Sequence, residues 1–145
     1  MTATSKPPIW FLIVVILLVL WEVVGCLACV SQIRLGAAAM GPVDAWSLKY
    51  YAALPVWYNG VYAFATFGGL AGAVALLLRD RRAGLLFWAS LAGIVLMFGY
   101  AFAATDLIAH KGLAQVLPFP LVIAAVGVLS IWLARVAARN GWLRT

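Results

Sequence analysis

Four stretches of the chain, residues 8–30, 56–78, 85–105 and 118–136, are apolar on every face. Each is close to the roughly 20 residues that an α-helix needs to cross about 30 Å of hydrocarbon. None shows the alternating polarity that a barrel strand carries over about 10 residues. The pattern predicts an all-α, integral membrane four-helix bundle made of one domain, residues 1–145. Prolines open three of the runs: Pro7 and Pro8 the first, Pro55 the second, Pro118 and Pro120 the fourth. A missing N–H does no harm there, because the first helical turn has no intrahelical partner for it. Gly112 and Gly141 read as stop signals.

The connections differ in length. Arg79-Asp80-Arg81-Arg82 is a tight turn that makes the second and third spans an antiparallel hairpin. Residues 34–54 are longer than a turn and suit a short interfacial helix starting at Pro42. Val43, Trp46, Tyr50 and Leu54 would form its apolar face, with Asp44 and Lys49 in water. Belt aromatics commonly anchor helix ends in this way.

Composition sharpens the picture. Hydrophobic residues make up 67% of the 145 and charged residues 10%, the reverse of what a soluble domain or a disordered chain needs. The net charge of +6 is divided unevenly. Lys6, Arg79, Arg81, Arg82, Arg135, Arg139 and Arg144 fall on one side of four alternating spans, and Arg34, Lys49 and Lys111 on the other. The bias predicts cytoplasmic amino and carboxyl termini and contact with anionic lipid headgroups. The scattered basic residues form no groove for nucleic acid.

Polar residues inside the spans carry the functional signal. Glu22 falls about 4 Å from the middle of the first run at 1.5 Å per residue. An intramembrane carboxylate is costly, so it should face the bundle interior, and it carries a functional hypothesis by default. Cys26 and Cys29, with Gly25 alongside, follow on the same face. The second run repeats the stripe in Asn59, Tyr62, Thr66, Gly69 and Ala73, and the third in Ser90, Gly93, Met97, Tyr100 and Ala104. Glu22, Asn59, Tyr62, Thr66 and Tyr100 are the residues predicted to line a polar cavity open to the outer side. Glu22 would lie at its floor, and Trp46, Tyr50 and Trp57 around its mouth. Small residues at this spacing equally serve tight helix packing, for which Gly68, Gly72 and Gly93 are the candidates.

Other chemistry is sparse. Asp106 and His110 stand four apart at the outer end of the third run. There the carboxylate can favour the protonated imidazole as a proton-sensitive element, or the two form a plain helix-end pair at the membrane surface, with Lys111-Gly112 as the C-terminal cap. One histidine and two cysteines at no ligand spacing predict no metal and no cofactor. Cys26-x-x-Cys29 lacks the strand-to-helix context of a redox motif and reads as packing. No triad, phosphate loop or adjacent carboxylate pair marks an enzyme. Val23-Val24-Gly25-Cys26 has the look of a lipoprotein cleavage site, but the acidic Glu22 beside it and the apolar sequence running on to Val30 favour a retained span.

The segments Ala53-Leu-Pro-Val-Trp-Tyr-Asn59, Leu85-Leu-Phe-Trp-Ala-Ser-Leu91, Thr105-Asp-Leu-Ile-Ala-His-Lys-Gly112 and Arg139-Asn-Gly-Trp142 resemble a family of small bacterial four-helix integral membrane proteins. Its members commonly carry the label sugar transporter. The resemblance runs over nearly the whole length and implies the bacterial inner membrane and transport of a sugar-like solute. Two functions are therefore expected: small-solute transport by a homo-oligomer, or an accessory subunit docked in a larger membrane complex. The deciding question is whether the polar stripes face one another inside one bundle or point outward to lipid and partners.

Overall fold

The computed structural model describes residues 4–144. Seven helices follow one another: α1 (Ile9–Leu35), α2 (Ala45–Ala53), α3 (Val56–Leu77), α4 (Ala83–Ala104), α5 (Leu107–Lys111), α6 (Leu113–Val116) and α7 (Pro118–Arg139), with a 3-10 turn, Gly36–Met40, after α1. Four of them, α1, α3, α4 and α7, are long and apolar enough to span a membrane. The chain is an all-α, multi-pass membrane protein. Helix is the expected solution, because in lipid each backbone N–H and C=O must be satisfied within its own segment.

Several boundaries shift from the sequence expectation. The first helix runs past Val30 to Leu35 and stops only where Gly36 caps it at φ 56°. Ser31, Gln32 and Arg34 end the apolar run without ending the helix, since none of them breaks it. The last helix likewise continues to Arg139, and α4 begins at Ala83 and ends at Ala104. The loop helix starts at Ala45, after Pro42, because Asp44 builds a capping box. Its Oδ1 accepts the Ser47 backbone N–H at 2.7 Å, and the Ser47 Oγ accepts the Asp44 N–H at 3.0 Å. Trp46 and Tyr50 on that helix are half-buried, while Val43, Asp44 and Lys49 are exposed.

The spans pack in chain order, α1 on α3, α3 on α4 and α4 on α7. Both termini and the α3–α4 turn meet at one end, here the terminal end. Ser5 donates from its N–H to the Gly141 carbonyl at 3.1 Å. Arg79 donates from Nε to the Trp142 carbonyl at 2.6 Å and from Nη2 to the Ser5 carbonyl at 2.7 Å. Trp142 packs on Phe11, ring centroids 4.9 Å apart. This clasp closes the terminal end with backbone carbonyls as its acceptors. The connections that carry α2, α5 and α6 lie at the opposite, loop end.

The core is correspondingly unequal. At the terminal end all four spans contribute: Phe11 and Val15 from α1, Leu76 from α3, Phe87 from α4, Leu133 and Ala134 from α7. At the loop end the buried cluster is Tyr58, Met97 and Ala101, from α3 and α4 alone. Every buried residue of α7 lies between Ser130 and Ala137. Its first half therefore stands away from the other spans.

Candidate functional site

The space left by that divergence is a cavity of about 490 Å³. It is walled by α1, α3, α4 and the first half of α7, and roofed by α2 and α5. A volume of this size falls in the ordinary range of small-molecule sites. Below it the four-span core fills the bundle at the terminal end.

Glu22 is at the deep end. It occupies the centre of α1, with thirteen residues of the helix on either side. Its carboxylate lies over Gly69 of α3, where an added Cβ would be 2.8 Å from the Glu22 Cδ. Any side chain at 69 would push the carboxylate away, so glycine is what lets it fold back against α3. Among the described residues the carboxylate has no hydrogen-bond donor and no cation beside it. It is half-buried and opens onto the cavity.

Tyr62 and Thr66 line the same space. The Thr66 hydroxyl donates within its own helix, to the Tyr62 carbonyl at 3.0 Å, and is thereby occupied. Ser90, also in the wall, donates across to the Ala65 carbonyl of α3 at 2.6 Å. Ser130 on α7 donates to the Val126 carbonyl at 2.7 Å. The Thr66, Ser90 and Ser130 hydroxyls thus donate to backbone carbonyls, while the Tyr58 and Tyr62 hydroxyls and the Glu22 carboxylate also line the space. Around them the surface is apolar and aromatic, with Trp21, Tyr58, Phe87 and Met97 contributing.

Asn59 and Tyr100, expected in the wall, do not line this cavity. Asn59 turns towards α1, its Oδ1 accepting the Gln32 Nε2–H at 3.1 Å. Tyr100 packs edge-on against Trp57, centroids 4.9 Å apart, and borders a second, smaller hollow of about 260 Å³ with Lys49, Ala104 and Thr105. Trp57 stays on the outer surface. Trp46 and Tyr50 border both spaces.

Asp106 and His110 stand beyond the end of α4, as the N-cap and a late residue of α5. Their common partner is Trp46. Its Nε1–H donates to Asp106 Oδ2 at 3.1 Å, and its ring stacks on the His110 imidazole with centroids 4.2 Å apart and planes 4° from parallel. Lys111 holds its Nζ 5.4 Å from the centre of the same ring. The three residues tie α2 to α5 across the cavity mouth.

The glycines proposed for packing are used inside the bundle. A Cβ at Gly72 would sit 2.8 Å from Phe87 ring carbons, one at Gly93 would sit 3.1 Å from the Ala65 Cβ, and one at Gly68 would sit 3.8 Å from the Ser90 Cβ. Cys26 and Cys29 are buried free thiols beside Thr66. Among the described residues no group of three His, Cys, Asp or Glu side chains is placed to hold a metal ion.

The clearest omission from the sequence-derived set is Gly69, whose lack of a side chain makes room for Glu22. It stood in the α3 stripe as one small residue among several, and only the carboxylate opposite distinguishes it. Trp21, Tyr58 and Phe87 are further wall residues whose signal was hidden in uniformly apolar sequence. The chain matches no protein-family model, no curated protein and no solved structure, so its site is read from its own geometry.

Proposed function

We propose that this protein binds a small solute in the loop-end cavity as one step of carrying it across the bacterial inner membrane. The observation that carries the reading is an intramembrane carboxylate at the end of a cavity that opens at one end of the bundle and is packed shut at the other. Such carboxylates are expensive in lipid and mark solute, ion or proton paths. Seven basic residues, Lys6, Arg79, Arg81, Arg82, Arg135, Arg139 and Arg144, gather at the terminal end, which favours both termini in the cytoplasm and the cavity facing out. A complete cycle needs the terminal end to open in turn, and a homo-oligomer is the natural setting for so small a bundle.

The wall bears on the solute. A sugar presents many hydroxyls and needs several donors and acceptors close together, whereas the Thr66, Ser90 and Ser130 hydroxyls commit their donors to backbone carbonyls and most of the remaining lining is apolar or aromatic. The lining suits an amphipathic solute better than the sugar suggested by the family resemblance. The accessory-subunit reading is less well supported, because Gly68, Gly72 and Gly93 face neighbouring spans of the same chain.

The test is uptake into proteoliposomes of purified wild type and Glu22→Gln, with native mass spectrometry of the complex extracted from its own membrane. Uptake of at least one small solute that falls tenfold or more in Glu22→Gln supports the reading. A stable complex with a foreign subunit, and no uptake by either protein, overturns it.

A further inference from the structure

Glu22 poses a sharper question, because among the described residues no donor or cation partners its carboxylate. A charge left unpaired among apolar groups is costly, and whatever fills the cavity must meet it. A neutral apolar solute gives the carboxylate no counter-charge, and an anion adds repulsion to it. A divalent metal ion needs about six oxygen ligands, and no other carboxylate lines the cavity among the described residues. An organic monocation answers the charge with one of its own. Its apolar body matches the rest of the wall, where Trp21, Tyr58, Tyr62 and Phe87 offer ring faces and edges within the same 490 Å³. Aromatic faces attract ammonium groups through the ring quadrupole. Opposing charge is confined to the mouth: Lys111, the one basic side chain of the lining, is held over Trp46 beside Asp106.

Resting on the reading above, we infer that the cavity takes organic monocations, ammonium or phosphonium groups carrying apolar substituents, with Glu22 as their counter-charge. A proton and the cation then exclude each other at one carboxylate. When the cation binds to the protonated site, the Glu22 O–H bond breaks, the proton leaves to water through the mouth, and the carboxylate keeps the electron pair that faces the cation. Cys26 on α1 lies close to Glu22. The other titratable groups of the lining are Tyr58 and Tyr62 on α3, Tyr50 and Tyr51 on α2, and Lys111 at the mouth, while α4 and α7 present Phe87, Ser90 and Ser130. Glu22 alone carries the exchange.

Tetraphenylphosphonium and tetraphenylborate, nearly identical in shape and opposite in charge, provide the test. Binding of each to the full chain in lipid nanodiscs is followed by calorimetry and tryptophan fluorescence, with empty nanodiscs as background. The wild type should bind the cation saturably and bind the anion at least tenfold more weakly. Cation affinity should fall on acidification, approaching about tenfold per pH unit for one competing proton. Glu22→Gln should lose at least tenfold in cation affinity while its melting temperature holds. Equal binding of both ions, or cation binding that is independent of pH and of Glu22→Gln, overturns the inference and leaves the cavity as a site for apolar bodies. Saturable binding of neither ion overturns the cavity reading as well. The comparison of ions and the pH series need only the wild type, so a poorly folding variant does not blunt them.

Discussion

The two ends of this bundle are built from the same residue types and behave differently. At the terminal end all four spans interlock around Phe11, Val15, Leu76 and Leu133, and Arg79 ties the chain ends to the α3–α4 turn. At the loop end only α3 and α4 share a buried cluster, the first turns of α7 carry no buried residue, and polar contacts on Trp46 cross the mouth. Packing of one half of α7 is enough to hold the helix, and the half that does not pack leaves room for a solute. The contrast teaches that a membrane bundle can hold an open site without a loop inserted into it, by closing one end tightly and letting one helix diverge at the other.

The strongest challenge to this contrast is to remove large side chains at each end. Phe11→Ala deletes a ring that is 1% exposed and should cost about 3–5 kcal/mol, whereas Ile123→Ala in the cavity wall should cost less than about 1 kcal/mol. Denaturant or thermal unfolding in detergent measures both. Similar losses at the two sites would mean that the loop end is packed as tightly as the terminal end.

Glycine substitutions probe the same difference at smaller scale. Gly72→Ala places a methyl 2.8 Å from Phe87 ring carbons and should destabilise by about 1–3 kcal/mol. A Cβ at Gly99, in the loop-end half of α4, meets nothing within 4 Å, so Gly99→Ala should be neutral or slightly stabilising. Unfolding midpoints that move equally for both would remove the distinction.

Loosening the mouth should change dynamics more than stability. Trp46→Ala removes the shared partner of Asp106 and His110. Amide exchange in α2 and α5 should then speed up by about an order of magnitude, with global stability changed by less than about 1 kcal/mol. Unchanged exchange would show that Trp46 does not hold the mouth.

The smallest effect is one of pH. The Ser47 backbone N–H, and then its hydroxyl, hold the Asp44 carboxyl below its ordinary range. A carboxyl whose folded value is depressed stabilises its helix above the unfolded value and loses that contribution as pH falls through the folded one. Exchange protection of α2 should therefore be full at neutral pH and decline on acidification below the usual carboxylate range. Asp44→Asn, which keeps a capping acceptor without a titrating group, should flatten the profile, and an identical slope in both proteins would assign the effect elsewhere.

Much of the fold was legible in the sequence because lipid leaves a chain few options. Uniformly apolar runs of span length, bounded by Pro8, Pro55, Pro118 and Gly141, specify helices almost regardless of packing. Hydropathy marks where the bilayer ends, however, and not where the helix does, which is why α1 overran Val30. In the site, Glu22, Tyr62 and Thr66 were legible as polar residues at one depth. Tyr100 was placed at that depth and Asn59 nearer the outer surface, but rise per residue fixes height alone, and which neighbour a stripe faces depends on how the helices are arranged. The clasp left no sequence signal, because its acceptors are the Ser5 and Trp142 carbonyls, a group every residue carries. The divergence of α7 was equally silent, being set by which half of an apolar helix finds partners.

Site-directed thiol labelling measures the asymmetry of the bundle most directly. In a Cys26→Ala, Cys29→Ala background, single cysteines at Thr66 and Ile123 in the cavity and at Val15 and Leu133 in the sealed end are exposed in oriented vesicles to a membrane-impermeant maleimide, applied to one face at a time. The account predicts that the two cavity positions react from the loop-end face only, and that the two sealed positions react from neither. Reaction at Val15 or Leu133 as fast as at Thr66, or protection of all four from both faces, would contradict it.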